Sequence, residues 1–280
     1  MRKTATISNA LRISFVGLLC LAMLVPMYLL IVNSFKDQQS ILSAPFELNL
    51  ATATPDFLIQ AWNSREFSVP FGYLITCGLV ICVNIVSIGV CAPAAYVIAR
   101  SPKALFRAIL LFFIAGMFIP TQVILIPVIF VLRGLGLMGT FPGLVLFMAS
   151  ATVPFTLFVF TGFIRLLPKA LDEAASMDGA GRLYTLWRIV FPLMKPIVAT
   201  VFILNALGVW NDFASPQVIL GPGSGLYTVT TGVYASVGQY SADYTKVFPT
   251  LLLAVVPILL IFILMQRYVM SGLAAGATKG

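Results

Sequence analysis

The sequence predicts an all-α integral membrane protein with six transmembrane helices and with both termini in the cytoplasm. Of its 280 residues, 60% are hydrophobic and 9% are charged, and the mean hydropathy is +1.03. Soluble domains average about 45–50% apolar and about 25% charged residues, so a soluble core could not bury this composition. The apolar residues form continuous runs, which indicate membrane-spanning helices rather than the alternating strands of a barrel.

Six apolar runs are long enough to cross a bilayer, which requires about 20 residues of helix. In order, they cover residues 12–34, 71–99, 107–131, 142–166, 196–218 and 248–268. The first run follows basic residues, as the apolar region of a signal peptide does. Its apolar part exceeds the roughly 7–15 residues typical of that region, however, and no A-x-A cleavage site ends it. We therefore expect a retained first span after a cytoplasmic N-terminus of residues 1–11.

The segments between the runs differ in length and polarity. A long polar outer loop, 35–70, precedes the second run, and a short inner loop, 100–106, leads to the third. The fourth run is followed by a polar inner segment, 167–195, and the fifth by an outer loop, 219–247. We expect residues 12–280 to form one transmembrane domain that ends in a cytoplasmic tail, 269–280.

Lysine and arginine fix the orientation of the spans, because they concentrate in cytoplasmic loops. With the N-terminus inside, 13 of the 17 basic residues fall in inner segments. The four outer basic residues are Lys36, Arg65, Arg133 and Lys246. This topology explains the net charge of +8, so the charge does not indicate nucleic-acid binding.

The composition also excludes several kinds of chemistry. Histidine is absent, which excludes histidine nucleophiles, histidine metal ligands and histidine proton relays. The four cysteines lie inside apolar runs without a CxxC pair, which favours buried thiols over a disulfide or a metal site. No G-x-x-x-x-G-K-[ST] phosphate loop occurs, so the chain cannot hydrolyse ATP. We expect a protein that is not an enzyme and that binds neither metal nor cofactor.

The inner segment 167–195 is the most informative part of the chain. Pro168 suits the first turn of a helix, and the glycines at 179 and 181 suit the end of that helix. A second short helix is predicted from Arg182 to Val190. The small residues at the bend leave backbone accessible to a groove of another protein. An amphipathic loop on the membrane surface would show the same pattern, so the residues alone leave both interpretations open.

This segment resembles the EAA loop of ABC importer permeases, in particular those of the carbohydrate-uptake branch typified by the maltose transporter. In the loop, the resemblance rests on Glu173, Ala174, Ala175, Asp178, Gly179, Ala180, Ile189, Pro192 and Pro196. Segments 95–100, 119–127, 210–213 and 267–280 resemble other motifs of the family in the same order. Two departures are Phe191, which replaces a usual leucine, and Thr76-Cys77, which replaces an Asn-Ser pair.

The resemblance implies the type I ABC importer permease fold and a set of partners. These are a second, homologous permease in a heterodimer, two ATP-binding cassette subunits that use ATP and Mg²⁺, and an extracytoplasmic solute-binding protein. It implies the cytoplasmic (inner) membrane of a bacterium or archaeon. The implied ATPase-coupling residues are Glu173, Ala174, Ala175, Asp178, Gly179, Ala180, Arg182, Ile189 and Pro192. The tail residues implied at the ATPase interface are Gly276, Ala277, Thr278, Lys279 and Gly280.

Two further groups of residues are candidates for contact with substrate or with the binding protein. Asp212 is an acid within a predicted span and stands beside Trp210 and Asn211, which suits a translocation path. It could equally lie at the outer interface, and Gln122 could equally make a bond between helices. The outer residues that resemble a binding-protein contact loop are Gly221, Pro222, Gly223, Ser224 and Gly225. A plain flexible loop would have the same composition.

The sequence therefore predicts one permease subunit of an ATP-driven importer for a sugar or an oligosaccharide. A glycerol-phosphate or polyol importer of the same branch is the alternative, although few basic residues are available on its outer side. An ion-coupled carrier is a different class of protein. It would need acids or histidines inside the membrane for coupling, and it would have no use for an EAA loop.

Overall fold

A computed structural model describes the backbone of residues 2–64, 67–236 and 243–277, and the side chains of residues 12–64, 67–234 and 243–264. These residues form helices and turns, and none of them lies in a strand. The long helices are α1 (Arg2–Asn33), α4 (Val69–Arg100), α5 (Ala104–Gly116), α6 (Thr121–Gly134), α7 (Phe141–Leu166), α11 (Lys195–Asn211) and α14 (Tyr244–Ala277). The short ones are α2 (Gln38–Ser43), α3 (Asp56–Trp62), α8 (Ala170–Met177), α9 (Arg182–Thr185), α10 (Phe191–Leu193), α12 (Ala214–Ile219) and α13 (Val229–Ser236).

Four helices are long and apolar enough to cross a membrane, and the number rises to six if each of two bent helix pairs is one span. The single helices are α1, α4, α7 and α14. The bent pairs are α5 with α6, and the helical segment 182–193 with α11. Each of the six predicted runs thus contributes helix to one of these candidates.

The third predicted run, residues 107–131, is not the continuous helix that its apolar composition suggests. α5 ends at Gly116, α6 begins at Thr121, and the two axes meet at 105°. Pro120 stands between them with φ −58° and ψ 131°. Proline lacks an N–H and disfavours helical backbone at the residue before it, which favours a break at this point. Hydropathy alone does not reveal such a break.

The fifth predicted run, residues 196–218, ends earlier than predicted. α11 stops at Asn211, and the short α12 follows from Ala214. The carboxylate of Asp212 accepts hydrogen bonds from the Ser215 N–H at 3.1 Å and from the Ser215 hydroxyl at 2.5 Å. A side-chain oxygen that satisfies the first turn of a helix favours a new start there. At its inner end, α11 forms an angle of 78° with segment 182–193.

The chain divides into two compact units, and the first comprises residues 1–70 and 232–257. Only 6% of the most apolar window of α1 is buried within the chain, which leaves this helix free for contact with lipid. Asp37 caps the N-terminus of α2. Hydrogen bonds from the N–H and the hydroxyl of Ser40 to the Asp37 carboxylate hold its pKa below the usual value. The Phe67 ring packs directly on the backbone of Gly232, where an added Cβ would lie 1.7 Å from a ring carbon.

The second unit comprises residues 71–231 and 258–280 and contains two apolar clusters. One cluster joins α4, α5 and α7 to segment 182–194, and its fully buried members include Phe160, Leu186, Val190 and Met194. The last three are spaced four residues apart, which places them on one side of a helical segment. The C-terminal half of the predicted inner segment 167–195 is therefore part of the helical core.

Candidate functional site

The bend of the inner loop is a helix end closed by backbone hydrogen bonds. α8 ends at Met177, and Gly179 follows with φ +77°. The N–H of Gly179 donates to the Ser176 carbonyl at 3.1 Å, and the N–H of Ala180 donates to the Ala175 carbonyl at 2.9 Å. This pair of bonds is the Schellman arrangement, which requires a left-handed residue at the position of Gly179. The prediction that glycine ends this helix is confirmed.

A group of polar contacts joins α8 to the end of α4. The Arg100 guanidinium lies 2.8 Å from a carboxylate oxygen of Asp172, and the side chains are 14% and 21% exposed. The Tyr96 hydroxyl donates to the other oxygen of Asp172. Arg100 also donates to the Leu167 carbonyl at 2.9 Å. The ends of α4 and α7 and the start of α8 are thus held together by charge-assisted hydrogen bonds.

The residues predicted to contact an ATPase differ in exposure. The exposed ones are Glu173, Ala174, Asp178, Gly179, Arg182 and Pro192. Ala180 and Ile189 are partly buried. Ala175 is only 4% exposed and belongs to the packed side of α8, so it is not available to a partner in this conformation. Its small size instead allows α8 to approach the helices beneath it.

Large apolar side chains are exposed on the same inner segment, and sequence reasoning missed them. Met177 is 90% exposed and Leu183 is 69% exposed, and Tyr184 and Trp187 are also exposed. Exposed large apolar side chains outside the six predicted runs indicate a surface for contact with protein or with membrane. Periodicity alone does not identify these residues, because Leu183 and Trp187 precede the buried Val190 and Met194 by seven residues, a spacing that an α-helix places on one face. We refer to Met177, Leu183, Tyr184 and Trp187 as the exposed apolar residues of the inner segment.

A cavity of about 530 Å³ lies between the end of α4 and the helices α8 and α9. Its walls include the four cations Arg100, Lys103, Lys169 and Arg182 and the two acids Asp172 and Glu173. Apolar atoms of Val97 and Phe106 line another part of it.

A second cavity, of about 480 Å³, lies among α6, α7 and α11 within the spans. Its polar lining residues include Thr121, Thr152, Asn205 and Asp212, and its aromatic ones are Phe147 and Phe155. Of the four residues predicted for a translocation path, Asp212 lines this cavity. The other three are placed elsewhere: Trp210 is buried near Tyr73, whereas Asn211 and Gln122 are exposed outside the lining.

A buried polar cluster adjoins the second cavity and was not predicted. Asn205 of α11 donates to the Thr156 hydroxyl of α7 at 3.3 Å and lies 3.5 Å from the amide oxygen of Asn84 in α4. The hydroxyls of Ser87 and Thr156 are 3.2 Å apart. Bonds of this kind join helices inside a membrane, where each polar group needs a partner. Asn205 belongs both to this cluster and to the cavity wall.

The two remaining groups of candidates are a compact outer turn and the C-terminal tail. Gly221 and Gly225 have φ +65° and +69°, on either side of a 3₁₀ turn from Pro222 to Ser224. The Ser224 hydroxyl donates to the Gly221 carbonyl at 3.3 Å, so the segment is a defined turn that includes Gly223.

In the tail, Gly276 and Ala277 are described only as backbone at the end of α14, and Thr278, Lys279 and Gly280 lie outside the described residues.

Comparisons with known proteins identify relatives along most of the chain. Residues 91–273 match the family described as binding-protein-dependent transport system inner membrane component. The multiple sugar-binding transport system permease protein MsmG of Streptococcus mutans is 34% identical over 260 residues, which cover 91% of this chain and 92% of that protein. The diacetylchitobiose uptake system permease protein NgcG of Streptomyces coelicolor is 34% identical over 287 residues, which cover 99% and 90%.

A solved structure resembles the fold. It is the crystal structure of a bacterial ABC transporter involved in the import of the acidic polysaccharide alginate. The TM-score is 0.82 over 94% of this chain and 96% of that chain, with 19% sequence identity. At this identity the likeness concerns the fold alone.

Proposed function

Because the chain belongs to the family of binding-protein-dependent transport system inner membrane components, we propose that it is a permease subunit of an ATP-driven importer for a sugar or an oligosaccharide. The observation that carries this proposal is the similarity, over more than nine-tenths of the chain, to permeases named for sugar and diacetylchitobiose uptake. The predicted fold class, an all-α multi-pass membrane protein of the type I ABC importer permease kind, is confirmed. We assign the chain to the cytoplasmic membrane of a bacterium or archaeon.

Hydrolysis of ATP takes place in separate subunits in this proposal. The chain lacks a phosphate loop, and the exposed apolar residues of the inner segment are uncovered within the chain. An ATPase subunit would cover these side chains and would bind ATP and Mg²⁺ itself. The exposed Glu173 and Asp178 add charged contacts around these apolar side chains. The expected assembly has two such ATPase subunits, a second permease and an extracytoplasmic binding protein, which Gly221–Gly225 would contact.

The inner segment can transmit motion because contacts with the helical core anchor it at both ends. The Schellman bonds fix the bend at Gly179, and the Arg100–Asp172 ion pair ties α8 to α4. Leu186, Val190 and Met194 bury the following segment in the helical core. A displacement of α8 by an ATPase would therefore move the helices that it contacts, as expected for a link between two bistable bodies.

The second cavity suits a neutral, hydroxyl-rich substrate better than a phosphorylated one. Thr152, Asn205 and Asp212 offer hydrogen-bonding groups, and Phe147 and Phe155 offer apolar faces. None of its described lining residues is a lysine or an arginine, the side chains that most often bind phosphate groups. These features favour a sugar over glycerol phosphate as the substrate. Asp212 is the one acid among the described lining residues, which disfavours an ion-coupled carrier.

The test is uptake by the transporter reconstituted in proteoliposomes with its solute-binding protein. We expect uptake of a sugar only when ATP is inside and the binding protein is outside. Calorimetry of the binding protein against a panel of sugars would identify the ligand to use. Uptake that is driven by an ion gradient without ATP would contradict the proposal.

A further inference from the structure

The cavity beside α8 has an excess of positive charge. Asp172 is already neutralised by Arg100 at 2.8 Å and accepts a further hydrogen bond from Tyr96. The other charged residues of the wall are Lys103, Lys169, Arg182 and Glu173. Among the described residues, none of these four takes part in an ion pair. Three cations therefore share one acid, which leaves two positive charges uncompensated and makes the cavity suitable for an anion.

In the topology predicted from the lysine and arginine distribution, the cavity lies where two spans reach the cytoplasmic surface. Val97 and Arg100 belong to the last turn of α4, and Phe106 belongs to the first turn of α5. The phosphate groups of the cytoplasmic leaflet lie at this level, and basic pockets between transmembrane helices bind anionic headgroups there. The apolar atoms of Val97, Pro102 and Phe106 complete the wall.

We propose that this cavity binds the headgroup of an anionic phospholipid from the cytoplasmic leaflet. Its volume of about 530 Å³ is that of a site for a small organic molecule, for which about 300–1,000 Å³ is typical. A single inorganic phosphate would leave most of this space unfilled, whereas a glycerophosphate headgroup would occupy more of it. The apolar atoms provide contact for the glycerol and the first carbons of the acyl chains.

The side chains have complementary tasks in this site. Arg182 can donate two parallel hydrogen bonds to phosphate oxygens, as a guanidinium commonly does. Lys103 and Lys169 approach from the α4–α5 loop and from the start of α8, where each adds a point charge. The bound lipid would lie against both the α4–α5 loop and the segment that we assign to ATPase coupling. Anionic lipid would thus stabilise the position of α8 relative to α4.

Native mass spectrometry of the full-length permease, purified with its transporter subunits, tests this site. The probes are phosphatidylglycerol, phosphatidylcholine and inorganic phosphate, each titrated at one fixed ionic strength. We expect preferential binding of phosphatidylglycerol. Lys103→Gln and Arg182→Gln should each weaken that binding about fivefold, which corresponds to about 1 kcal/mol for each cation at the membrane surface. Lys169→Gln is a third variant, should one of the first two not assemble.

Arg133→Gln is the matched control, because Arg133 is an exposed cation at the outer end of α6 and is not part of the cavity. Its binding of phosphatidylglycerol should equal that of the wild type. Equal affinity for the two lipids, or an equal effect of all the substitutions, would overturn the proposal. Displacement of phosphatidylglycerol by inorganic phosphate at equal concentration would assign the site to a free anion instead. None of these outcomes depends on which substrate is transported.

Discussion

Arg100 and Asp172 form an ion pair of 2.8 Å that joins the end of α4 to α8, although they are far apart in the sequence. Tyr96 and the Leu167 carbonyl complete the contact through hydrogen bonds to the same two side chains. Because the pair is largely shielded from solvent, loss of one partner leaves the other with an unsatisfied charge. The pair therefore makes α4 and α8 move together.

Arg100→Met should destabilise the inner end of the protein. Hydrogen bonds to charged groups contribute about 1.5–3 kcal/mol, so we expect a lower apparent melting temperature and reduced uptake. Arg107→Met is the control, since Arg107 is an exposed inner cation outside this contact. In the double variant with Arg100→Asp and Asp172→Arg, uptake and melting temperature should be partly restored relative to Arg100→Met. Equal melting temperatures for Arg100→Met and Arg107→Met would contradict this role.

Gly179→Pro should separate ATP hydrolysis from transport. Proline fixes φ near −65°, whereas Gly179 has φ +77°, so the Schellman bonds cannot form. Gly179→Ala should have a smaller effect, because an L-residue in this region costs about 1–2 kcal/mol and its Cβ meets open space. Uptake and ATPase activity are measured separately in proteoliposomes.

Gly181→Ala is the control for the bend. Gly181 also has open space around its Cβ, but its φ of −72° suits any residue. We expect wild-type uptake from this variant. Wild-type uptake by Gly179→Pro would show that the bend is not needed for coupling.

Met177→Asp should weaken association with the ATPase subunits. Met177 is 90% exposed, and complete burial of a methionine side chain contributes about 1.5–3 kcal/mol. We expect about a tenfold or greater loss of ATPase subunits on copurification, by the usual relation of about 1.4 kcal/mol for each factor of ten. Met177→Leu keeps an apolar side chain and should retain them. Full copurification with Met177→Asp would place the contact elsewhere.

Asn205→Leu distinguishes a substrate contact from a bond between helices. The substitution removes a polar group from the wall of the second cavity and also from the buried cluster. Thr156→Val breaks the same cluster without changing the cavity wall. Such bonds contribute about 0.6 kcal/mol on average inside a membrane, so both variants should fold. We expect a higher KM for uptake with Asn205→Leu alone. An equal change of KM in both variants would assign Asn205 a purely structural role.

The main features of the fold could be predicted because they depend on composition over many residues. Continuous apolar runs marked the helices, and Gly179 marked the end of α8 because only glycine readily adopts its left-handed backbone. The break at Pro120 escaped prediction, since the residues on both sides are equally apolar. The end of α11 at Asn211 escaped it as well, because the bonds between Asp212 and Ser215 do not alter the average hydropathy.

The site was predicted only where it depends on local sequence. The Arg100–Asp172 pair joins segments that are distant in the sequence, and nothing in either segment identifies the other. Asn84, Thr156 and Asn205 are single polar residues within apolar runs, so no local pattern shows that they meet. Ala175 was expected at a partner surface, but it lies on the buried side of α8.

The break between α5 and α6 has a consequence for hydration. Each half contains fewer residues than the roughly 20 that cross the hydrocarbon core, so the interruption falls at membrane depth. Turn hydrogen bonds satisfy the carbonyls of Ile114, Ala115 and Gly116 at the end of α5, whereas the first N–H groups of α6 have no partner within their own helix. Such groups are tolerated inside a bilayer only when protein or a water-filled space satisfies them. Thr121, the first residue after the break, lines the second cavity, so water in that cavity can solvate the interrupted backbone. Amide protons at this point should exchange with solvent deuterium faster than those in the middle of α7.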